Sequence, residues 1–455
     1  MSNKVDLVVK NAKIVSPAGI VEAGLAVKGE KFVAIAKDEE LPQAEKIIDA
    51  KGNYVMPGIV EEHIHILDMK LNEWGDYAFD SGSAAVGGVT TVMEMPLTVP
   101  PTTTLEAFLE KKEVASKKFR VDFALYGGVV PGQYQEVCKM AEAGAVGFKS
   151  MMAGSVPGVF EASDDGELLE GFRAIAECDS VITVHCENDA IINMLENKLK
   201  SAGRKDMQAF FESRPISQEI DSIKRALFWA DVAGCHLHVV HVSCPEGISI
   251  IKEAKYKGQR VTCETGPHYL VLSQEDGDRI GPYMKFAPPA RSKKHTEELW
   301  KQLAKGDIDT LASDHGPHPK ENKEAGWKDI WVAGNGAIGL EAILPVMLSE
   351  GVNKGRISFE KLVELLSQNP ARIFGLYPQK GAIQIGSDAD FVIVDLNKEF
   401  VIDAEKFYSK QKHSPFNGFE GKGKPIMTVV RGNIVAEEGK LLSEPGFGKF
   451  ISRKK

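Results

Sequence analysis

Residues 55–65 read VMPGIVEEHIH, an apolar run of strand length that ends in two histidines spaced i, i+2. Alternate side chains of a strand share a face, so His63 and His65 point the same way. Seven further apolar or β-branched runs follow at intervals long enough to hold a helix. They are VTTVMEMP (89–96), DFALYGGVV (122–130), AVGFKSMM (145–152), SVITVHCEN (180–188), HLHVVHVS (236–243), RVTCETGPH (260–268) and DTLASDHGP (309–317). Several intervals, EAFLEKKEVASKK (106–118) among them, carry an amphipathic helical pattern. Eight strands alternating with helices over about 320 residues predict the α/β class and a (β/α)8 TIM-like barrel spanning 55–375.

Outward from this core the rhythm changes. DLVVKNAKIV (6–15) and GLAVKGEKFVAIA (24–36) partly alternate and are broken by Gly and Pro, the pattern of a small antiparallel unit short of strands. A similar pattern returns in GSDADFVIVDL (386–396) and PIMTVVRGNIVAEEGK (425–440). The two ends, 1–54 and 376–455, are therefore expected to form one small β-sandwich domain beside the barrel.

Composition narrows the function. The 455 residues are 43% hydrophobic and 26% charged, ordinary for a folded globular chain. Lys and Arg number 55 against 64 Asp and Glu, a net charge of −9, which disfavours nucleic acid as a partner. No apolar run is long enough to span a membrane and the first residues lack a secretory core, so a cytoplasmic location is expected. Six cysteines without a C-x-x-C pair suggest reduced, mostly buried thiols.

Barrel chemistry sits at the carboxyl ends of the strands. There the sequence places His63 and His65 (first strand), Lys149 (fourth), His185 (fifth), His241 (sixth) and Asp314 (eighth). Singly each admits a structural reading: Asp314 as a helix cap, Lys149 as a snorkelling surface lysine, a lone histidine as a hydrogen-bonded core residue. Four imidazoles, a carboxylate and a lysine converging on one barrel mouth point instead to a metal site.

These stretches, with AGNGAIGLE (333–341) and the closing GSDADFVIVD, occur in the order found in the cyclic amidohydrolases. The chain resembles that group of binuclear-zinc barrels, which holds hydantoinases, dihydropyrimidinases, allantoinases and dihydroorotases. Through HIHILDM (63–69) and FKSMMAGSVPG (148–158) it is most similar to the L-selective hydantoinases. The resemblance implies one Zn2+ on His63, His65 and Asp314, a second on His185 and His241, and Lys149 bridging them as a carboxylated lysine. An ammonium cannot ligate a metal, whereas a carbamate is anionic and offers two oxygens. It further implies that water held between the metals attacks a ring carbonyl, with Asp314 shuttling its proton to the leaving nitrogen. The expected reaction opens 5-substituted hydantoins to N-carbamoyl amino acids; allantoinase, dihydropyrimidinase and a metal-free scaffold are the alternatives.

For a small cyclic ureide substrate, the resemblance assigns main-chain contacts to Asn335 and Ala287. A tyrosine found five residues after the bridging lysine in D-hydantoinases is Gly154 here, which leaves Ser155 as the nearest hydroxyl for the oxyanion. Met69, Trp74, Met151, Met152, Val156 and Phe160 form an apolar loop set suited to a hydrophobic substituent. Leu67 stands where dihydroorotases usually carry a carboxylate-binding arginine, which disfavours that activity. His268, His315 and His318 are read as supporting or loop residues, and His236 and His238 as structural. The resemblance also implies a homo-oligomer, commonly a tetramer.

Overall fold

The computed structural model describes residues 4–154 and 160–454. Strands β1 (Val5–Ser16), β2 (Gly19–Lys28), β3 (Lys31–Ala36), β4 (Ala44–Asp49) and β5 (Tyr54–Pro57) lead into the barrel strands. These are β6 (Ile59–Ile64), β7 (Val89–Glu94), β8 (Asp122–Leu125), β9 (Gly127–Gly128), β10 (Phe148–Met151), β11 (Val181–His185), β12 (His236–Val239), β13 (Val261–Thr265) and β14 (Thr310–Leu311). The chain closes with β15 (Phe391–Val401), β16 (Glu420–Val430), β17 (Asn433–Glu437) and β18 (Lys440–Leu441).

The barrel is parallel throughout. β6-β7-β8 form one ladder and β9 to β14 another, and the two are joined where Tyr126 N–H donates to Glu94 O (3.1 Å) and Gly127 N–H to Gly147 O (3.0 Å). β8 and β9 are thus two pieces of the third strand. The ring closes through a parallel bridge between Ile64 and His315, with His65 N–H donating to His315 O at 2.6 Å. Closure leaves no edge, and every residue of β6 and β7 is buried. The helix Leu105–Lys118 illustrates the outer layer: Thr104 caps it through the Ala107 N–H, and Phe108, Lys111 and Ala115 form its buried face. No helix of the described residues is long and apolar enough to cross a membrane.

The run expected as one strand from Val55 to His65 is two. Val55–Pro57 pair antiparallel with Val392 and its neighbours in β15, whereas Ile59–Ile64 pair with β7. Gly58 makes the crossing, because a Cβ there would lie 2.1 Å from Thr90 Oγ1. Through β5 and β15 both chain ends join one hydrogen-bonded sheet of nine strands. Its alternating residues Leu7, Val9, Leu25, Val27, Val55, Phe391 and Ile393 meet in a separate core with Phe32 and Val429. The last residues leave that sheet and return to the barrel, where Ile451 N–H donates to Phe123 O (2.8 Å). Four of the six cysteines are buried and none is disulfide-bonded.

Candidate metal centre and substrate cavity

The six ligand-type side chains do converge at the carboxyl ends of their strands. Two of them, His241 (φ 41°) and Asp314 (φ 48°), take left-handed backbone conformations where their strands end, which is rare for residues with a Cβ and common where a side chain is turned into a site. His63 Nε2 lies 3.3 Å from His65 Nε2 and 3.3 Å from Asp314 Oδ1. His185 Nδ1 lies 3.0 Å from His241 Nε2. Lys149 is 2% exposed, and no hydrogen bond reaches its Nζ from the described residues.

Buried acids behind the imidazoles decide which nitrogens face inward. The Glu264 carboxylate sits 3.0 and 3.1 Å from His63 Nδ1, so Nδ1–H donates and Nε2 keeps its lone pair. Glu187 accepts from His185 Nε2–H at 3.0 Å, which leaves Nδ1 unprotonated toward His241. Burial acts to raise the Glu264 carboxyl, but His63 and His238 beside it outweigh that and hold it well below the usual carboxylate range. Glu187, pushed up by burial, is brought down to about 2 by Arg214 and His185. Burial first, then neighbouring cations, push His65 and His241 well below the ordinary imidazole value, so both are neutral at pH 7. Burial raises Asp314.

Such an arrangement fits a metal. Imidazole nitrogens 3.0 to 3.3 Å apart, with the Asp314 carboxylate beside them, form a donor set that suits a divalent cation, and Lys149 can join that set only once its amine has lost its positive charge. Of the six, His63, His65 and Asp314 bring their ligand atoms within 4.8 Å of one another.

A cavity of about 360 Å³ opens over this cluster. Its polar floor is His65, Lys149, His185, His241 and Asp314, and its walls are Leu67, Leu71, Trp74, Leu97, Val99, Met151, Phe286 and Ala287. Gly154, Gly316, His318, Asn335, Gly336, Glu187 and Arg214 complete the lining. Gly334 and Gly336 must be glycines: a Cβ would lie 2.2 Å from His318 Nδ1 at the first and 2.7 Å from Gly316 O at the second.

Of the residues expected to touch substrate, Trp74, Met151, Ala287 and Asn335 line this cavity. Met69, Met152 and Phe160 do not; the first two pack on the barrel core and Phe160 is buried with Val130 and Met151. Apolarity alone could not separate wall from packing behind it. Ser155 and Val156 lie outside the described residues. His315 bonds Asp80 (3.1 Å) and His318 bonds Asn335 O (2.8 Å), both as supports. His268 packs against Phe286 and Tyr269. His238 bonds Thr262 (2.8 Å) and lies between Glu62 and Glu264.

Sequence reasoning passed over Glu264, Glu187, Arg214, Leu71, Leu97, Val99 and Phe286. For the two acids a signal existed, since Glu264 interrupts an otherwise apolar strand in VTCETGPHYL and Glu187 follows His185 by two residues.

A closed parallel barrel bearing neutral imidazoles, a carboxylate and a buried lysine at its mouth defines the metal-dependent hydrolase class. Residues 54–435 match the model of the Amidohydrolase family, and the chain belongs to that family. It is 56% identical over 450 residues to the L-hydantoinase of Paenarthrobacter aurescens, covering 99% of this chain and 98% of that protein. An allantoinase of Rubrobacter xylanophilus is 38% identical over 447 residues, covering 98% and 97%. Among solved structures, L-hydantoinase (dihydropyrimidinase) from Arthrobacter aurescens superposes with a TM-score of 0.97 at 56% identity, covering 99% of this chain and 100% of that one. A D-hydantoinase (dihydropyrimidinase) from Thermus sp. does so at 0.92 with 28% identity, covering 98% and 99%.

Proposed function

We propose that the protein is a binuclear zinc hydrolase that opens the cyclic amide of 5-substituted hydantoins to N-carbamoyl amino acids. The observation that carries this reading is the joint one: four converging imidazoles, Asp314 and an unpartnered buried lysine, roofed by a cavity whose walls are apolar and aromatic. The likeness to the L-hydantoinase over nearly the whole chain supports it.

His63, His65 and Asp314 would hold one Zn2+, His185 and His241 the second, and a carboxylated Lys149 would bridge them. Burial lowers Lys149 to about 8, so a sizeable neutral amine fraction exists near pH 7, the form that adds to carbon dioxide with loss of a proton. When bound, the metals supply Lewis-acid polarisation of the carbonyl and acidify water. Asp314, raised by burial, takes the proton of the attacking water and delivers it to the ring nitrogen as the C–N bond breaks. The Asn335 N–H donates to a ring carbonyl and Ala287 closes the opposite contact through its main chain. Leu71, Trp74, Leu97, Val99 and Phe286 take the 5-substituent out of water. Gly154 stands at the tyrosine position, with no described residue within 4 Å of a Cβ placed there. The reading extends to a cytoplasmic homotetramer, to be checked by solution mass.

Initial rates on both enantiomers of benzyl- and isobutyl-substituted hydantoins, with dihydrouracil and allantoin alongside, test the assignment. Preferred turnover of the substituted hydantoins is expected; turnover of allantoin alone would refute it. Asp314→Asn is expected to lower kcat by about a thousandfold.

A further inference from the structure

Lys323 is fully buried, at 0% exposure, and pairs with no carboxylate among the described residues. Its ammonium donates instead to three main-chain carbonyls: Lys285 O (3.0 Å), Gly334 O (3.0 Å) and Gly336 O (2.8 Å). Burial, and then the nearby Lys285, push this amine well below the usual lysine value, so the three carbonyl acceptors are what stabilises its charged form.

Those carbonyls belong to the two backbone segments on one side of the cavity, 285–287 and 334–336. In the second, nearly every main-chain polar group is engaged. Gly334 N–H donates to Asn322 Oδ1 (2.8 Å), Asn335 O accepts from His318 Nε2–H (2.8 Å) and Gly336 N–H donates to Lys285 O (3.0 Å). The Asn335 N–H alone has no partner among the described residues, on a residue that lines the cavity.

We propose that Lys323 is the positioning residue for substrate recognition: it locks both segments so that one main-chain donor, Asn335 N–H, stands preset for a carbonyl of the ligand. This rests on the hydantoinase reading for the identity of that carbonyl, but the locking does not. The lysine touches no reacting atom; it acts by making the donor rigid before substrate arrives, which strengthens binding without altering the bond-breaking step.

Lys323→Met keeps the length and removes all three donors; Asn322→Ala is a milder variant in which only the Gly334 N–H and Val332 O lose their partner. For Lys323→Met, KM for a turned-over hydantoin is expected to rise about tenfold with kcat within about twofold and metal content unchanged. Amide exchange in peptide 332–340 is expected to quicken about tenfold while the barrel strands keep their rates. Asn322→Ala should shift both quantities the same way by less. Unchanged KM, unchanged exchange, or a fall in kcat together with metal loss would each overturn the proposal. If the wild type opens no cyclic ureide, the hydantoinase reading fails by itself. In that case quickened exchange confined to 332–340 upholds the clamp and unchanged exchange overturns it.

Discussion

Three clusters among the described residues meet the same distance test for a metal site, and two of them are built on opposite principles. At the barrel mouth His63, His65 and Asp314 crowd together, and no lysine or arginine of the described residues is ion-paired with Asp314. Where the terminal sheet meets the barrel, Asp122, Asp388 and Asp390 crowd equally, but the Lys380 ammonium stands among them at 2.5, 3.0 and 2.7 Å. Arg431 adds its Nε to Asp122 (3.0 Å) and its N–H to Asp390 (2.8 Å). The second cluster contains its own cations and needs none from solution. Proximity of acids and imidazoles therefore does not mark a metal centre; lone pairs left without a counter-charge do.

The most severe way to break the contrast is to remove the residue proposed to give the mouth its anionic bridge. Lys149→Ala is expected to cost at least about a thousandfold in kcat/KM and to lower bound metal, because it takes away the proposed bridge between the two ligand groups. Elemental analysis beside initial rates checks it; full metal content with native rates would show that Lys149 is a packing residue. Prolonged chelation should reproduce the loss, and zinc with bicarbonate should reverse it only in the wild type.

Emptying the other cluster should spare the metal and cost stability. Lys380→Met leaves three buried carboxylates facing one another, and about 3–5 kcal/mol of unfolding free energy should be lost, as for other broken buried pairs. Denaturant titration reads the loss, and metal per folded subunit is expected to stay at the wild-type value. A drop in metal content would mean that the sheet junction and the mouth are coupled.

Glu264→Gln probes the boundary between the two principles, since this acid is itself fully bonded yet supports the cluster at the mouth. The amide can no longer hold His63 Nδ1–H as a charged acceptor, and metal affinity should fall about 10–100-fold with the fold intact. Competition with a graded chelator measures it.

The same distinction explains what could be read from the sequence. His63, His65, Lys149, His185, His241 and Asp314 were legible because each ends an apolar run, and strand periodicity fixes where such ends lie. The barrel itself was legible for that reason. Lys323 was not, because it bonds backbone 11 to 38 residues away; Glu187 showed only its spacing from His185, since the Arg214 that pairs with it lies 27 residues on. Met152 and Phe160 were misassigned to the cavity because apolar loop residues carry no mark distinguishing a wall from the layer behind it. The split of the first strand at Gly58 depends on Thr90, which no local pattern announces.

The smallest effect sharpens the comparison from within the self-contained cluster. Burial raises Asp390 to about 6 against the pull of Lys380, with Asp122 adding to the rise. A carboxyl whose folded value exceeds its unfolded one binds more protons when native, so it favours folding at low pH and loses that advantage as pH climbs. Asp390→Asn cannot take up that proton. The stability of the wild type relative to Asp390→Asn should therefore fall by about 1–3 kcal/mol between pH 4 and 6 and stay level above. Urea titrations at four or five pH values read the difference directly. A flat difference across that window would mean that Lys380 and Arg431 keep all three carboxyls ionised, and the cluster would then balance its charge without a shared proton.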